Sequence, residues 1–175
     1  PETRVIDGKP VAILAGVRFV EGQGQIALFR VDLTTGASKV LEPGFKNSRR
    51  WVVSEAGEPL AVAEYEPIKS QWRLKTRAKG GWAPVTDITA GTEAPVLIGL
   101  GRDDGSVLVS SMQDGLTAYR EIAAAKGGWN APFRVGESDA PIYDRATHRL
   151  VGFYSLEGDK DRYTFFDPQN QKVWD

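Results

Sequence analysis

The sequence predicts an all-β chain made of a repeated four-stranded unit. Residues 79–84 (KGGWAP) recur, one residue longer, at 126–132 (KGGWNAP), and their tryptophans are 47 positions apart. A turn glycine followed by an apolar run recurs at steps of 49 and 48, at Gly8, Gly57 and Gly105. Because self-similarity with a period of roughly 40–50 residues is typical of propellers, the predicted fold is a β-propeller segment of about four four-stranded antiparallel blades.

The period divides the chain into four units of one domain, which covers residues 1–175. Their approximate boundaries are 1–46, 47–93, 94–138 and 139–175. The predicted first strand of each unit is a short apolar run before the turn, at 5–6, 51–53, 96–98 and 142–143. The second strand follows the turn, where each glycine is expected to take the positive φ of a tight hairpin. The fourth turn, around His148, has no glycine and is expected to be longer.

The third strand of each unit shows the residue-by-residue alternation of a strand with one buried and one solvated face. The segments are 26–32, 71–77, 116–122 and 162–167. The predicted fourth strands are weaker, at 39–41, 84–86, 132–134 and 172–174. Pro84 and Pro132 begin two of them, which fits the edge of a blade because proline donates no hydrogen bond to a ladder. No long helix is predicted.

The composition excludes several classes of partner. The chain has 22 Lys and Arg against 23 Asp and Glu, a net charge of -1, so it lacks a basic field for nucleic acid or an anionic membrane. It has no cysteine and therefore no disulfide or thiolate metal site. No apolar run approaches the roughly 18 residues that a membrane helix requires. These features leave the compartment open between cytoplasm and periplasm.

Residues suited to catalysis or cofactor binding are scarce. The single histidine, His148, lies in a predicted turn, and there is no cysteine nucleophile. Residues 136–140 (GESDA) resemble a nucleophile elbow, but a strand rather than a helix is predicted after them, so we expect an inter-blade loop. The carboxylates at 103–104 and 159–161 are interpreted as solvated turn residues, since the second group lacks the other ligands of a calcium loop. We predict no catalytic residue, no metal and no cofactor.

Tryptophans and polar residues near strand ends remain as candidates for binding. Because Trp51, Trp82 and Trp129 occur at the blade period, we expect them to pack between neighbouring sheets rather than to stack on a ligand. The candidate binding residues are Arg49, Arg50, Glu64 and Tyr65, whose place near strand ends would let them line the mouth of a propeller.

The ends of the chain indicate a segment of a longer protein. Residue 1 is proline, and the only methionine is Met112. If the four units form an open arc, the first and last blades expose apolar faces, and such faces promote pairing between chains. We therefore expect self-association.

Three segments resemble the propeller of the prolyl oligopeptidase family. They are residues 28–36 (LFRVDLTTG), 51–59 (WVVSEAGEP) and 163–168 (YTFFDP), and Ser54 stands where the family commonly has aspartate. The resemblance implies a propeller that precedes an α/β-hydrolase domain with a serine triad, caps its active site and admits only short peptides. None of the catalytic motif occurs here, so the resemblance implies a non-catalytic domain that gates or binds peptide substrate, with the C-terminal α/β-hydrolase domain as its partner.

Two other functions stay open. The repeated Gly-Gly-Trp segment is similar to motifs of fucose-binding propeller lectins, where a tryptophan and an arginine share a pocket between blades. A propeller can also act as an interaction platform, as some periplasmic propellers do, because many functions occur on this fold.

Overall fold

The computed structural model describes residues 2–137 and 139–175, whose regular structure is nearly all antiparallel β. Sheet 1 contains β1 (Glu2–Ile6), β2 (Lys9–Val20), β3 (Gln23–Asp32) and β4 (Ser38–Glu42). Sheet 2 contains β5 (Ser48–Val53), β6 (Pro59–Glu66), β7 (Gln71–Ala78) and β8 (Gly81–Thr89). Sheet 3 contains β9 (Val96–Leu100), β10 (Ser106–Gln113), β11 (Leu116–Ala123) and β12 (Arg134–Gly136). Sheet 4 contains β13 (Ala140–Tyr143), β14 (Leu150–Glu157) and β15 (Lys160–Phe165), followed by helix α1 (Pro168–Trp174).

Each sheet is a meander in which every strand pairs with the next one along the chain. The all-β prediction and the organisation into antiparallel sheets are therefore confirmed. The sheets cover 2–42, 48–89, 96–136 and 140–165, while the predicted unit boundaries stay a prediction. The boundary at residue 138, which is also the serine of the elbow-like segment, lies outside the described residues.

Buried side chains join the sheets face to face in chain order. Sheets 1 and 2 share a cluster that includes Ile13, Leu28, Trp51 and Val62. Sheets 2 and 3 share Trp72, Leu74, Leu97 and Val109, and sheets 3 and 4 share Leu108, Tyr119, Leu150 and Phe153. Successive residues of a strand point to opposite faces, which is why Leu108 packs on sheet 4 and Val109 on sheet 2. The propeller prediction requires this stacking, although the number of blades in a ring stays a prediction.

The turns before the second strands are only partly as predicted. Gly8 and Gly57 have φ of 73° and 77°, as expected of the hairpin glycines. The same expectation is wrong for Gly105, because its turn closes with a hydrogen bond from Ser106 N to Asp103 O, 3.0 Å, and keeps φ outside the positive range. The turn at 144–149 is longer, and the Asp144 side chain accepts hydrogen bonds from two backbone N–H groups within it.

The predicted fourth strand at 172–174 is wrong, because these residues belong to α1 and sheet 4 has three strands. The helix begins where the Asp167 side chain accepts a hydrogen bond from Gln169 N, 2.9 Å, and Pro168 occupies the first turn. Both residues favour a helix start, the first as a cap and the second through its fixed φ. These local signals outweigh the repeat, so the fourth unit departs from the four-stranded pattern.

The Gln171 side chain satisfies part of the edge that a fourth strand would have paired. Its Oε1 accepts a hydrogen bond from Phe165 N, 2.8 Å, and its Nε2 donates to Tyr163 O, 3.2 Å. One side-chain amide thus contacts two backbone groups on the outer edge of β15. An exposed strand edge is a template for pairing with another chain, and α1 covers part of this one.

Sheet 1 carries a long hairpin that the sequence did not predict. Strands β2 and β3 pair from Val11–Asp32 to Val20–Gln23, whereas β1 pairs only with residues 9–13 and β4 only with residues 28–31. The far part of the hairpin is therefore a two-stranded ribbon, and Phe19 near its tip is 76% exposed. In the part of the chain that the structure describes, no helix has the length and apolar character needed to cross a membrane.

Candidate functional site

The first strands of the four sheets meet around a cavity of about 310 Å³. Its polar lining consists of Glu2 and Arg4 from β1, Arg50 from β5, Tyr143 from β13, and His148 from the turn before β14. The residues come from three sheets that are distant in sequence, because the meander brings the innermost strand of each sheet to the centre of the stack. We call this space the arginine cavity.

Arg4 lies at the base of the arginine cavity with its side chain 4% exposed. Its Nη1 donates to Ser54 O, 2.5 Å, and its Nη2 donates to the Glu2 carboxylate, 2.7 Å. Within the described residues its buried Nε has no hydrogen-bond partner. A buried donor without a partner costs free energy, so this guanidinium retains one unused N–H close to the cavity.

Arg50 places an exposed guanidinium group at the mouth of the arginine cavity, and the exposed Arg49 lies beside it on β5. Arg50 Nη2 donates to Ile98 O, 2.9 Å, which links β5 to β9. Arg49 Nη2 donates to Tyr65 O, 3.4 Å. Both arginines line a second cavity of about 390 Å³ between sheets 1 and 2. This cavity shares Glu2, Arg50 and Val53 with the arginine cavity. No carboxylate among the described residues forms an ion pair with either of them.

Tyr143 closes the opposite side of the arginine cavity. Its ring lies so close to Gly99 that a Cβ on the glycine would be 2.9 Å from the hydroxyl. The buried hydroxyl has no hydrogen-bond partner within residues 2–137 and 139–175. Burial raises the pKa of Tyr143 above its ordinary value, although the charge of Arg50 acts in the opposite direction. The phenol is therefore a neutral donor, unused, beside a positively charged mouth.

The four candidate binding residues separate into two groups. Arg49 and Arg50 line the cavities described above. Glu64 is buried and pairs with Lys75, 2.7 Å, while Tyr65 donates from its hydroxyl to Ala90 O and Gly91 O, each 3.2 Å. Glu64 and Tyr65 are neighbours on β6 and point to opposite faces of the sheet, so their side chains do not meet the arginines in one site.

Neither Arg4 nor Tyr143 was predicted from the sequence as a site residue. The available signal was an arginine directly before the apolar run at 5–6, the predicted first strand of unit 1. Tyr143 gave no signal beyond an apolar run. Both residues are recognised as part of one site only once the fold brings the first strands together around the cavity.

The tryptophans pack as predicted. Trp51 and Trp82 contact each other with ring centroids 5.5 Å apart, and both contact Phe45. Trp129 packs edge-on against Trp72, 6.0 Å, and the Arg120 guanidinium lies 5.0 Å from its centroid. These rings belong to the packing between sheets. Among the described residues, no group of three or more His, Cys, Asp or Glu is placed to hold a metal ion.

A second polar cluster lies beside sheet 4 and is centred on Glu121. Its carboxylate accepts hydrogen bonds from Arg102 N, 2.6 Å, Arg102 Nε, 2.7 Å, and Ser106 Oγ, 2.8 Å. Burial raises the pKa of Glu121, but the hydrogen bonds from Arg102 and Ser106 together outweigh it, so the pKa lies below its ordinary value of 4.5. The cluster ties β11 to the turn that follows β9.

Acid should weaken this cluster. Because the pKa of Glu121 is lowered in the folded state, its stabilisation is complete above pH 4.5 and is lost as the pH falls below that value. We expect Glu121→Gln to lower the free energy of unfolding by about 1–3 kcal/mol near pH 6 and the difference to shrink in acid. Urea unfolding of the wild type and the variant, near pH 6 and again below pH 4.5, measures the difference in the free energy of unfolding. Glu157→Gln, at an exposed ion pair with Arg162, is the control and should change little; a pH-independent loss in Glu121→Gln would contradict the assignment.

Comparisons with known proteins add no identification: no protein-family model, no curated protein and no solved structure matches this chain.

Proposed function

We propose that this chain is a non-catalytic binding domain that holds a peptide by a carboxylate at the arginine cavity. The observation that carries the proposal is the exposed guanidinium group of Arg50, which lines the arginine cavity and, together with Arg49, the adjoining second cavity. Neither arginine is paired with a carboxylate among the described residues. Guanidinium groups bind carboxylates through paired, charge-assisted hydrogen bonds. The cavity volume of about 310 Å³ suits a small group such as a peptide terminus or an acidic side chain.

Polar groups behind the mouth support the same ligand. Arg4 Nε and the Tyr143 hydroxyl are buried donors that lack a partner within the described residues, and a bound oxygen acceptor would satisfy them. Glu2 is the carboxylate that lines the cavity, and Arg4 already pairs with it. The mouth is therefore locally positive in a chain whose net charge is -1.

A narrower form of the proposal rests on the sequence resemblance. Residues 28–36, 51–59 and 163–168 resemble the prolyl oligopeptidase propeller, which supports a role in gating peptide substrate for a serine peptidase. In that form the partner is a C-terminal α/β-hydrolase domain, and the bound peptide is the substrate of that domain. The packing of Trp82 and Trp129 between the sheets gives a sugar-binding role no comparable support.

Calorimetry with matched peptides tests the binding function. An acetylated tripeptide with a free C-terminal carboxylate should bind at least about tenfold more tightly than its C-terminal amide, because a hydrogen bond to a charged group contributes about 1.5–3 kcal/mol. Arg50→Gln should remove that difference. Arg162→Gln, an exposed arginine on sheet 4, is the matched control and should preserve it.

Two results would contradict the proposal. Equal affinity for the acid and the amide would show that the arginines do not recognise the carboxylate of the peptide. Hydrolysis of the peptide by this chain alone would contradict the non-catalytic assignment.

A further inference from the structure

The outer face of sheet 1 is apolar and is not covered by another sheet among the described residues. Cross-strand pairs place Ala12 opposite Val31, Leu14 opposite Phe29, and Phe29 opposite Val40. Because neighbours directly across a ladder share a face, these five side chains lie on the side opposite the cluster with sheet 2. Val40 is 44% exposed.

Val5 extends this apolar face onto β1. It lies on the same face, since β1 alternates and its neighbour two residues before, Thr3, pairs with Ala12. Val5 is 75% exposed. An exposed valine on a pleated strand, continuous with exposed and half-buried apolar residues on the next strands, is the pattern of a sheet face that binds a partner.

The outer face of sheet 4 is also apolar, but it is aromatic. Tyr154 pairs with Tyr163, and Gly152 pairs with Phe165, which puts these aromatic rings on the side away from Phe153 and sheet 3. Trp174 of α1 packs on the same rings, 4.3 Å from Tyr163 and 5.9 Å from Phe165. Trp174 is still 55% exposed.

The two outer faces are the faces of the end sheets that no other sheet covers among the described residues. Sheets 1 to 4 stack in order. One further contact of the same kind would place the outer face of sheet 1 of one copy on the outer face of sheet 4 of another. Charge supports this contact. Arg18 lies on the outer face of sheet 1 near the turn between its second and third strands, and Asp161 lies on the outer face of sheet 4 near the equivalent turn. Stacking in the same orientation brings these opposite charges to the same end.

We propose that a second copy of this chain covers both faces, with sheet 1 of each copy stacked on sheet 4 of the other. The aliphatic and aromatic faces differ, so each contact is between unlike surfaces, and two such contacts related by a two-fold axis close a ring. Two copies contribute eight sheets, within the four to eight blades that propellers commonly have. A closed pair leaves neither outer face in water.

Sedimentation velocity over a range of concentrations tests the pair. The wild-type chain should sediment as a dimer of its 19.1 kDa protomer at micromolar concentrations. Val5→Lys should give a monomer, because it puts a charge within the apolar face that the contact buries. Ile68→Lys is the matched control: Ile68 is 96% exposed in the turn between β6 and β7, away from both faces, and its variant should remain a dimer.

A charge exchange separates this contact from non-specific association. Arg18→Asp should raise the dissociation constant about tenfold, and adding Asp161→Arg should restore it, because the exchanged pair is again complementary. A monomeric wild type, an open-ended series of larger species, or equal dissociation of the Val5 and Ile68 variants would each overturn the proposal. Circular dichroism confirms that every variant is folded.

Discussion

Replacing Phe153 with alanine should lower the free energy of unfolding by about 3–5 kcal/mol, the largest loss expected from a single truncation in this chain. Phe153 is 0% exposed and lies in the cluster that joins sheet 4 to sheet 3. Its ring centroid is 4.9 Å from that of Tyr119, and the Arg134 guanidinium lies 4.7 Å from it. Alanine would remove these contacts and leave a cavity that neighbouring strands cannot easily fill.

Urea unfolding followed by tryptophan fluorescence measures the loss, with Phe19→Ala as the matched control. Phe19 is 76% exposed near the tip of the β2–β3 hairpin, so the same substitution there should change stability by less than about 0.5 kcal/mol. Similar losses in the two variants would mean that the packing of sheet 4 on sheet 3 contributes little to the fold.

Gly44→Ala should lower the free energy of unfolding by about 2–5 kcal/mol, because an unfavourable backbone conformation and a steric clash coincide at this position. Gly44 lies between β4 and β5 with φ of 85°, a backbone conformation that a side chain disfavours. A Cβ there would also meet the backbone carbonyl oxygen of Ile26, which cannot rotate away as a side chain can. The connection from sheet 1 to sheet 2 would have to shift.

Gly22→Ala separates the two penalties at Gly44. Gly22 has φ of 78°, but a Cβ there would meet nothing within 4 Å. The control should therefore lose only the conformational part, about 1 kcal/mol. Urea unfolding gives the loss of unfolding free energy for each variant from its midpoint, provided that the denaturant dependence (the m-value) is unchanged. The difference between the two losses is the free-energy cost of the clash with Ile26. Equal losses would show that the approach is relieved by a small backbone movement.

The repeat predicted the fold well because strand and turn signals are local. An apolar run, a turn at Gly57 and an alternating run from Gln71 to Arg77 are each written within a few residues, and the structure forms β5, β6 and β7 there. The repeat failed at 172–174, where Val173 and Trp174 favour a strand but lie in helix α1. Asp167 and Pro168 decided the outcome, and both were visible in the sequence as helix-start signals.

The candidate site was less predictable, because its members are assembled by sheet stacking. Arg50 was identified from its place near a strand end, and it does line the arginine cavity. Arg4 and Tyr143 are 139 positions apart and meet there only because sheets 1 and 4 stand around a common centre. The sequence repeat predicts the strands of each sheet. It does not predict which side chains of different sheets come together. The prediction for Glu64 had the opposite outcome, since this residue near a strand end is buried and pairs with the half-buried Lys75 instead of lining a cavity.

The meander has a consequence for how this chain reaches its native state. Every ladder joins strands that are adjacent along the chain, so no pairing has to wait for a distant segment. Folding rates fall as the average sequence separation of contacts rises, and here the ladders keep that separation small for an all-β protein. A completed sheet can offer its apolar face as a template to the next, as in repeat proteins whose units contact only their neighbours. Assembly can then follow the order in which the ribosome delivers the sheets.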